Sequence, residues 1–497
     1  MAVASLESIQ QLIENSEQGL AQIEAYSPQI LITRQLVEDV INAQGESNNV
    51  LDLLSVVLDT ILAENEVIYD LSASLDALLK ANDDYTKRYY MQSLNLCFWE
   101  SCQLFVGEDG DEYGLLSRIE VLSKQFNQAG CQFIAKHIID DINEFRKEYA
   151  DRELRNITRH YETPIKMYEK QQGLMNIDYF TKGCSQLMAI RMEVTVLSFY
   201  LLSLLTPANK ELQRAISDKK SGFDLKGLIN DALFKAFKKR NFHEEVRRTL
   251  EKGQASLDDC YRLYNQCQVA VKLLKDRNSQ IPEDFKKMES LILLRMETVF
   301  LRNDVACSIW GYLNASSEKE RSQNLRLIYI TKQAALTHIY GYNEKVRDKS
   351  LWAQIKKIEE SSSEKFDTAF VEKSLKELTE DLTGDKSISN MFAHYRYRQN
   401  YYIPTRLEAF SKMQHHKELF DAMKLLNVCK VLDSYSVGLL CCIHEKQKNE
   451  TKRKHDEWIE MIEKISAKMG NDERTKDALK PLRDLIDKAF SIKTKEN

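Results

Sequence analysis

The chain has 497 residues, a formal net charge of −5, 43% hydrophobic and 29% charged residues, and only 16 Gly and 6 Pro. This composition allows a large buried core and excludes an intrinsically disordered chain. The weak negative charge excludes the global basic field that drives nonspecific nucleic-acid binding. So few Gly and Pro leave little room for hairpins or tight turns between strands, which favours helices.

Apolar residues recur at helical spacing along the first half of the chain. They predict helices at 6–23, 30–41, 49–79, 87–106, 115–126, 131–149, 161–172, 179–205 and 223–239. The segment 49–79 is apolar on more than one side, so we expect it to be central in its bundle. The apolar run 194–205 is shorter than the roughly 18–20 residues that span a membrane, so we expect a buried core helix and no membrane span.

The second half repeats this pattern of helices. Helices are predicted at 242–276, 284–314, 322–340, 351–361 and 368–382, and strand signals are weak throughout. The sequence therefore predicts an all-α fold of two helical bundles with about seven to eight helices each.

Residue matches between the halves indicate a tandem duplication, with copies at 1–240 and 241–497. The matched sets are Glu14–Leu20 with Glu251–Leu257, Thr60, Asn65 and Val67 with Thr298, Asn303 and Val305, and Asn156–Tyr161 with Asn390–Tyr395. The polar pattern that persists most visibly is N-x-x-x-H-Y.

Ten cysteines are scattered without C-x-x-C spacing, and no signal peptide precedes the first helix. This usage is typical of a reducing cytoplasm and argues against a zinc site. The neighbours His415 and His416 would point about 100° apart on a helix, which is a poor metal pair. We therefore expect a cytoplasmic protein with no cofactor and no metal.

One constellation carries chemistry, the segment Arg155-Asn156-Ile157-Thr158-Arg159-His160-Tyr161. Arg155 and His160 would lie about 140° apart on a regular helix, so they converge only at a distorted helix end or at an edge facing a partner bundle. An arginine can hold a phosphate through two hydrogen bonds, and a histidine can exchange a proton near neutral pH. Together they suffice for RNA cleavage without a metal.

This segment resembles the ribonuclease motif of the HEPN superfamily (higher eukaryotes and prokaryotes nucleotide-binding), small helical bundles that carry R-x(4–6)-H. Several members act as toxins or defence nucleases against phage, and members pair two motif helices across a dimer. The resemblance implies that Arg155 and His160 are the catalytic pair and that Asn156 supports them. In the second copy Asn390 and His394 persist, but Ser389 stands at the arginine position, so that copy is degenerate.

A different interpretation remains open for these residues. Asn156 and Asn390 would cap helices, and His160 and His394 would be half-buried beside the tyrosines that follow them. Caps and buried histidines would also persist through a duplication.

A basic and aromatic stretch follows His394. Arg396, Tyr397, Arg398 and Tyr401 are of the kind that stacks on single-stranded RNA, although such residues also pack bundle edges.

The sequence thus predicts a metal-independent endoribonuclease or toxin-type defence factor that acts on RNA in a cleft between the copies. The alternatives are a non-enzymatic scaffold that binds a protein partner, and a module that binds RNA or a nucleotide without cleavage. The partner is RNA in the first case and a protein, such as an antitoxin, in the second.

Overall fold

A computed structural model describes residues 30–42, 49–107, 114–125, 129–157, 161, 163–174, 176–205, 242–276, 280–341, 347–360, 368–380, 402–468 and 480. Within these ranges the chain forms sixteen helices and no strand, which confirms the all-α prediction. The predicted helices at 6–23 and 223–239 lie outside the described residues.

The described helices of the first half are α1 (30–42), α2 (Asn49–Lys80), α3 (Asp84–Val106), α4 (Leu115–Gln125), α5 (Ala129–Tyr149), α6 (Arg152–Ile157), α7 (Pro164–Gln172) and α8 (Ile177–Leu205). Those of the second half are α9 (Phe242–Glu251), α10 (Gly253–Asp276), α11 (Glu283–Asn314), α12 (Glu318–Ile339), α13 (Leu351–Glu360), α14 (Ala369–Glu380), α15 (Tyr402–Ser411) and α16 (His415–Lys468).

Short polar segments set several helix ends. Asp83 caps α3 by accepting a 2.8 Å hydrogen bond from the backbone N–H of Thr86, and Ser317 caps α12 by accepting one from Glu320. Gly107 ends α3 with a φ of 85°, a conformation that suits glycine. These caps direct the chain sharply back after α2 and after α11.

The single helix predicted at 242–276 is wrong, because α9 and α10 are separate helices that meet at Lys252. Gly253 follows the break and lies against α11. A Cβ atom built there would fall 2.7 Å from the Nδ2 atom of Asn303. The chain therefore bends where glycine allows a close backbone approach.

Each half is organised around a long helical hairpin. The helices α2 and α11 both have 32 residues, each is followed by a three-residue connection, and α3 and α12 have 23 and 22 residues. The helix α2 packs against α3, α4 and α8, and α11 packs against α9, α10, α12, α13 and α16. Both long helices are buried along most of their length, so the prediction of a central helix at 49–79 is confirmed.

The two hairpins also join the halves. The helix α2 contacts α12 and α15 of the second half, and α11 contacts α3 and α7 of the first. The buried apolar residues of both halves belong to one continuous core. This reciprocal packing is what a paired duplication would produce, and the duplication itself stays a prediction.

Two of the described helical segments, Ile177–Leu205 and His415–Lys446, are long and apolar enough to cross a membrane. Buried core helices meet the same criterion, and less than half of each segment's most apolar window is buried. This finding assigns no membrane span, and the absence of one stays a prediction.

Candidate functional site

The structure places two of the predicted catalytic residues, Arg155 and Asn156, near the end of the short helix α6. The Nη2 atom of Arg155 donates a 3.1 Å hydrogen bond to the Oε1 atom of Glu100 on α3, and its Nη1 atom donates one of 3.0 Å to the Oδ1 atom of Asn156. The carboxylate of Glu100 is almost completely buried, and Arg155 is largely buried above it. The guanidinium plane is therefore fixed by two partners.

The other predicted site residues lie outside the described part of the chain. They are His160, Ser389, Asn390, His394, Arg396, Tyr397, Arg398 and Tyr401. The arrangement of Arg155 with either histidine thus stays a prediction.

The N-terminus of α6 is capped by Asp151, a residue that was not predicted from the sequence. The Oδ1 atom of Asp151 accepts a 2.9 Å hydrogen bond from the backbone N–H of Leu154. The side chain of Asn95 on α3 makes two 2.9 Å hydrogen bonds with the backbone of Asp151. Burial by itself raises the pKa of Asp151. The hydrogen bond from Leu154 and the ammonium of Lys170 together lower it by more, so the pKa lies below its usual value. The interpretation of Asn156 as a helix cap is wrong, because Asn156 lies within α6 and Thr163 occupies the N-cap position of the next helix, α7. An Asp one residue before α6 was the available signal.

The segment after the motif is anchored on the second half of the molecule. Tyr161 donates a 2.7 Å hydrogen bond to the Oδ2 atom of Asp304 on α11, and Tyr85 on α3 donates one of 2.6 Å to the Oδ1 atom. The ring of Tyr161 also lies 5.7 Å from that of His338 on α12. All three hydrogen-bonded side chains are buried. His160, the residue before Tyr161, lies outside the described residues, so its position at the junction of the halves stays a prediction.

Asp304 is a buried carboxylate held by two neutral donors. Burial raises its pKa to about 6, although the hydrogen bonds from Tyr85 and Tyr161 favour the charged form. Nothing in the sequence around Asp304 indicates this role, because both donors lie more than 140 residues away.

A second buried carboxylate, Asp70 on α2, lies at the same junction. It forms an ion pair with Arg326 on α12. Burial raises the pKa of Asp70 to about 6, against the attraction of the guanidinium groups of Arg326 and Arg406. Arg406 on α15 also lies 3.5 Å from the Oε2 atom of Glu66. Polar side chains therefore join the two halves at Asp70 and Glu66 as well as at Asp304.

Two small cavities adjoin these carboxylates. One of about 20 Å³ is lined by Asp70, Glu100 and Arg326, and one of about 60 Å³ is lined by Tyr161 and Asp304. Three residues line both cavities: Ser93, Leu96 and Leu327. Because a water molecule needs about 10–15 Å³ of cavity volume, the cavities have room for one to a few waters but not for a nucleobase. A substrate would have to bind at their outer edge.

The charge of this junction does not by itself favour RNA. The two cavities bring together three carboxylates and two guanidinium groups: Glu100 is paired with Arg155 and Asp70 with Arg326, whereas Asp304 is held by the neutral Tyr85 and Tyr161. A polyanion is bound by cations in excess of acidic groups. Any such excess must therefore come from outside this set, as the sequence predicts for Arg396 and Arg398.

One further group resembles metal ligands. His137, Asp141 and Glu193, on α5 and α8, have ligand atoms within 4.8 Å of one another, and no other trio in the described ranges does. The His137 and Glu193 side chains are exposed, and His137 lies 3.8 Å from Asp141 one turn further along α5. These residues were not predicted from the sequence, and they lie on different helices from Arg155.

Comparison with known proteins gave no match to a protein-family model, to a curated protein sequence or to a solved structure. The HEPN resemblance therefore depends on the residues of the motif and on the all-α fold.

Proposed function

We propose that the protein is a HEPN-like, metal-independent endoribonuclease whose site lies where its two halves meet. One observation carries the proposal. The motif segment starts at Arg155, bonded to Glu100 of the first half, and ends at Tyr161, bonded to Asp304 of the second half. A motif at the junction of two bundles is the arrangement that the resemblance implies.

Arg155 would stabilise the negative charge that develops on phosphorus during cleavage. Its contacts with Glu100 and Asn156 orient the guanidinium before substrate arrives, which is how preorganised donors lower a barrier. His160 would take the proton of the 2′-hydroxyl or give one to the leaving oxygen. His394 would assist less, since Ser389 replaces the arginine of the second copy.

The test is cleavage of a labelled single-stranded RNA by the purified chain. We expect His160→Ala to abolish cleavage and His394→Ala to reduce it less. Equal loss in both variants, or none in either, would contradict the assignment of the first copy as the active one.

A second arm tests independence from metal. We expect cleavage to persist in EDTA and in His137→Ala, which removes one member of the exposed trio. If EDTA and His137→Ala both stop cleavage, the chemistry belongs to a metal site and the proposed mechanism is wrong.

A scaffold that binds a protein partner is the second candidate, and the surface of α8 favours it. Met192, Val196, Phe199 and Tyr200 recur at helical spacing and are between 40% and 70% exposed. Exposed apolar stripes of this kind are typical of protein interfaces. A stoichiometric protein partner together with no RNA affinity at low salt would favour the scaffold over the nuclease.

A further inference from the structure

A cavity that the described residues line lies in the second half, where α9 meets α10. It has a volume of about 480 Å³, within the range of small-molecule sites, and four of its lining residues are the cations Arg248, Lys252, Arg302 and Lys430. Two carboxylates, Glu244 and Glu245, also line it. Four cations against two carboxylates leave a formal charge of +2.

Arg302 on α11 is the buried cation of this pocket, with 8% of its surface exposed. Its Nη1 atom donates a 2.5 Å hydrogen bond to Asp433 on α16, and its Nε atom donates one of 3.2 Å to Asn303. Its Nη2 atom is buried and has no hydrogen-bond partner among the described residues. A buried donor of a charged group without a partner is costly, so a ligand or water is expected there.

The carboxylate of Asp433 does not balance the charge next to the pocket. It is shared with Arg295, whose Nε atom lies 2.9 Å from the other oxygen. Asp433 is therefore divided between two guanidinium groups beneath the cavity, and Arg302 does not have this carboxylate to itself.

The two carboxylates of the rim are already engaged by cations. Glu244 accepts a 2.9 Å hydrogen bond from Arg248, and Glu245 lies 2.7 Å from the Nζ atom of Lys430. Lys252 forms no ion pair with a described side chain, and it stands at the break between α9 and α10. The close approach of Gly253 to Asn303 holds that break against α11, next to Arg302.

We propose that this pocket binds the phosphate group of a small phosphorylated molecule. The group would be held between Lys252 at the rim and Arg302 at the floor, because a phosphate accepts hydrogen bonds from both kinds of cation. The site is separate from Arg155 and Tyr161 and does not depend on the proposed ribonuclease activity.

The experiment measures the thermal midpoint and the heat of binding with inorganic phosphate, a nucleoside 5′-monophosphate and the same nucleoside without phosphate, at ionic strength matched with sodium chloride. We expect saturable binding of both phosphate compounds and none of the nucleoside. Lys252→Glu should weaken binding at least about tenfold, the size of one charge-assisted hydrogen bond. Lys275→Glu, near the other end of α10 and outside the pocket, should leave it unchanged.

The two phosphate probes separate the sources of the ligand. Tighter binding of the nucleotide would mean that the cavity also holds the nucleoside, and equal binding would mean that it holds the phosphate alone. Either result supports the site. Binding of neither compound, or binding that Lys252→Glu and Lys275→Glu change equally, would overturn it. Because Lys252 is exposed, its variant is expected to fold even if Arg302 variants do not.

Discussion

Asp70 and Asp304 occupy matching places in the two long hairpins but have different partners. Each lies ten residues before the last residue of a 32-residue helix, and burial raises the pKa of each to about 6. Asp70 is paired with the charged Arg326, whereas Asp304 accepts hydrogen bonds from the neutral Tyr85 and Tyr161. The carboxylate of Asp70 is stabilised by a charged partner and that of Asp304 by the dipoles of two hydroxyl groups. Removing a partner should therefore lower the free energy of unfolding by different amounts at the two sites.

Arg326→Met should give the largest loss of stability. It leaves the carboxylate of Asp70 buried without its paired cation, and breaking a buried ion pair from one side costs about 3–5 kcal/mol. Urea denaturation measures the free energy of unfolding. The double variant Asp70→Asn/Arg326→Met should recover most of the loss. A double variant as unstable as the single one would show that Arg326 acts through packing instead.

Tyr85→Phe and Tyr161→Phe should each cost less, about 1–3 kcal/mol, because each removes one hydrogen bond to a buried acceptor. The double variant should lose less than the sum of the single losses. Once one donor is gone, Asp304 is more easily protonated, and a neutral group needs the second donor less. Fully additive losses in urea denaturation would contradict the sharing of one carboxylate.

Asp304→Asn should change how stability depends on pH. The pKa of Asp304 is about 6 in the folded protein and about 3.9 in an unfolded chain, so the folded state binds more protons between these values. Its contribution to stability is therefore present below pH 4 and lost as the pH rises to 6, by about 3 kcal/mol. The variant should show a shallower fall over that window than the control Asp259→Asn, which replaces an exposed carboxylate. Identical pH profiles would contradict the burial argument.

Glu64→Gln should have the smallest effect when stability is compared at pH 4, where the carboxyl of Glu64 is protonated in the folded protein and largely protonated in the unfolded chain. Burial raises the pKa of Glu64 to about 8, against a hydrogen bond from Thr195 and the charge of Arg191, so its carboxyl is mostly protonated at pH 7. Glutamine has nearly the same shape as the protonated acid, and we expect a change within about 1 kcal/mol at pH 4. Because the pKa of Glu64 is about 8 in the folded protein and about 4.3 in an unfolded chain, the wild type loses stability as the pH rises from 4 to 8, and the variant should become relatively more stable over that window. A large loss at pH 7 would mean that Glu64 is ionised in the folded protein.

The sequence could predict the helices but not how the halves meet. Apolar spacing located α2, α3 and α11 to within a few residues, because each buries a continuous stripe. The contacts of Asp304 with Tyr85 and Tyr161 join residues far apart in the chain, and local patterns carry no signal for them. The break at Lys252 depends on the approach of Gly253 to α11, which is also a tertiary effect.

The matched residues between the halves show a related limit. The sequence match pairs Thr60 with Thr298. Aligning the ends of the two 32-residue helices instead pairs Asp70 with Asp304, so the two alignments differ by four residues. Four residues are about one helical turn, so both registers place the same face of α2 towards the core. Sequence matching within long apolar helices therefore leaves the register open by one turn.

The site could be predicted only in part. Arg155 was selected from its spacing to His160, but its partner Glu100 lies 55 residues away and has no sequence signal. That partner changes the design of the decisive variant. Arg155→Ala would remove the ion pair of a buried carboxylate and so affect folding as well as chemistry. Arg155→Lys keeps the positive charge next to Glu100 and removes the planar guanidinium on which the proposed mechanism depends.

The most direct test of the central claim is therefore the rate of RNA cleavage by Arg155→Lys, measured together with its thermal midpoint. Arg152→Lys, at an exposed position of the same helix, is the matched control. We expect Arg155→Lys to lose cleavage by about a hundredfold or more, the scale of one lost transition-state donor, with a midpoint close to that of the wild type. The control should keep both properties. Full cleavage by Arg155→Lys, or a loss explained by a lower midpoint, would contradict a catalytic site at the junction of the halves.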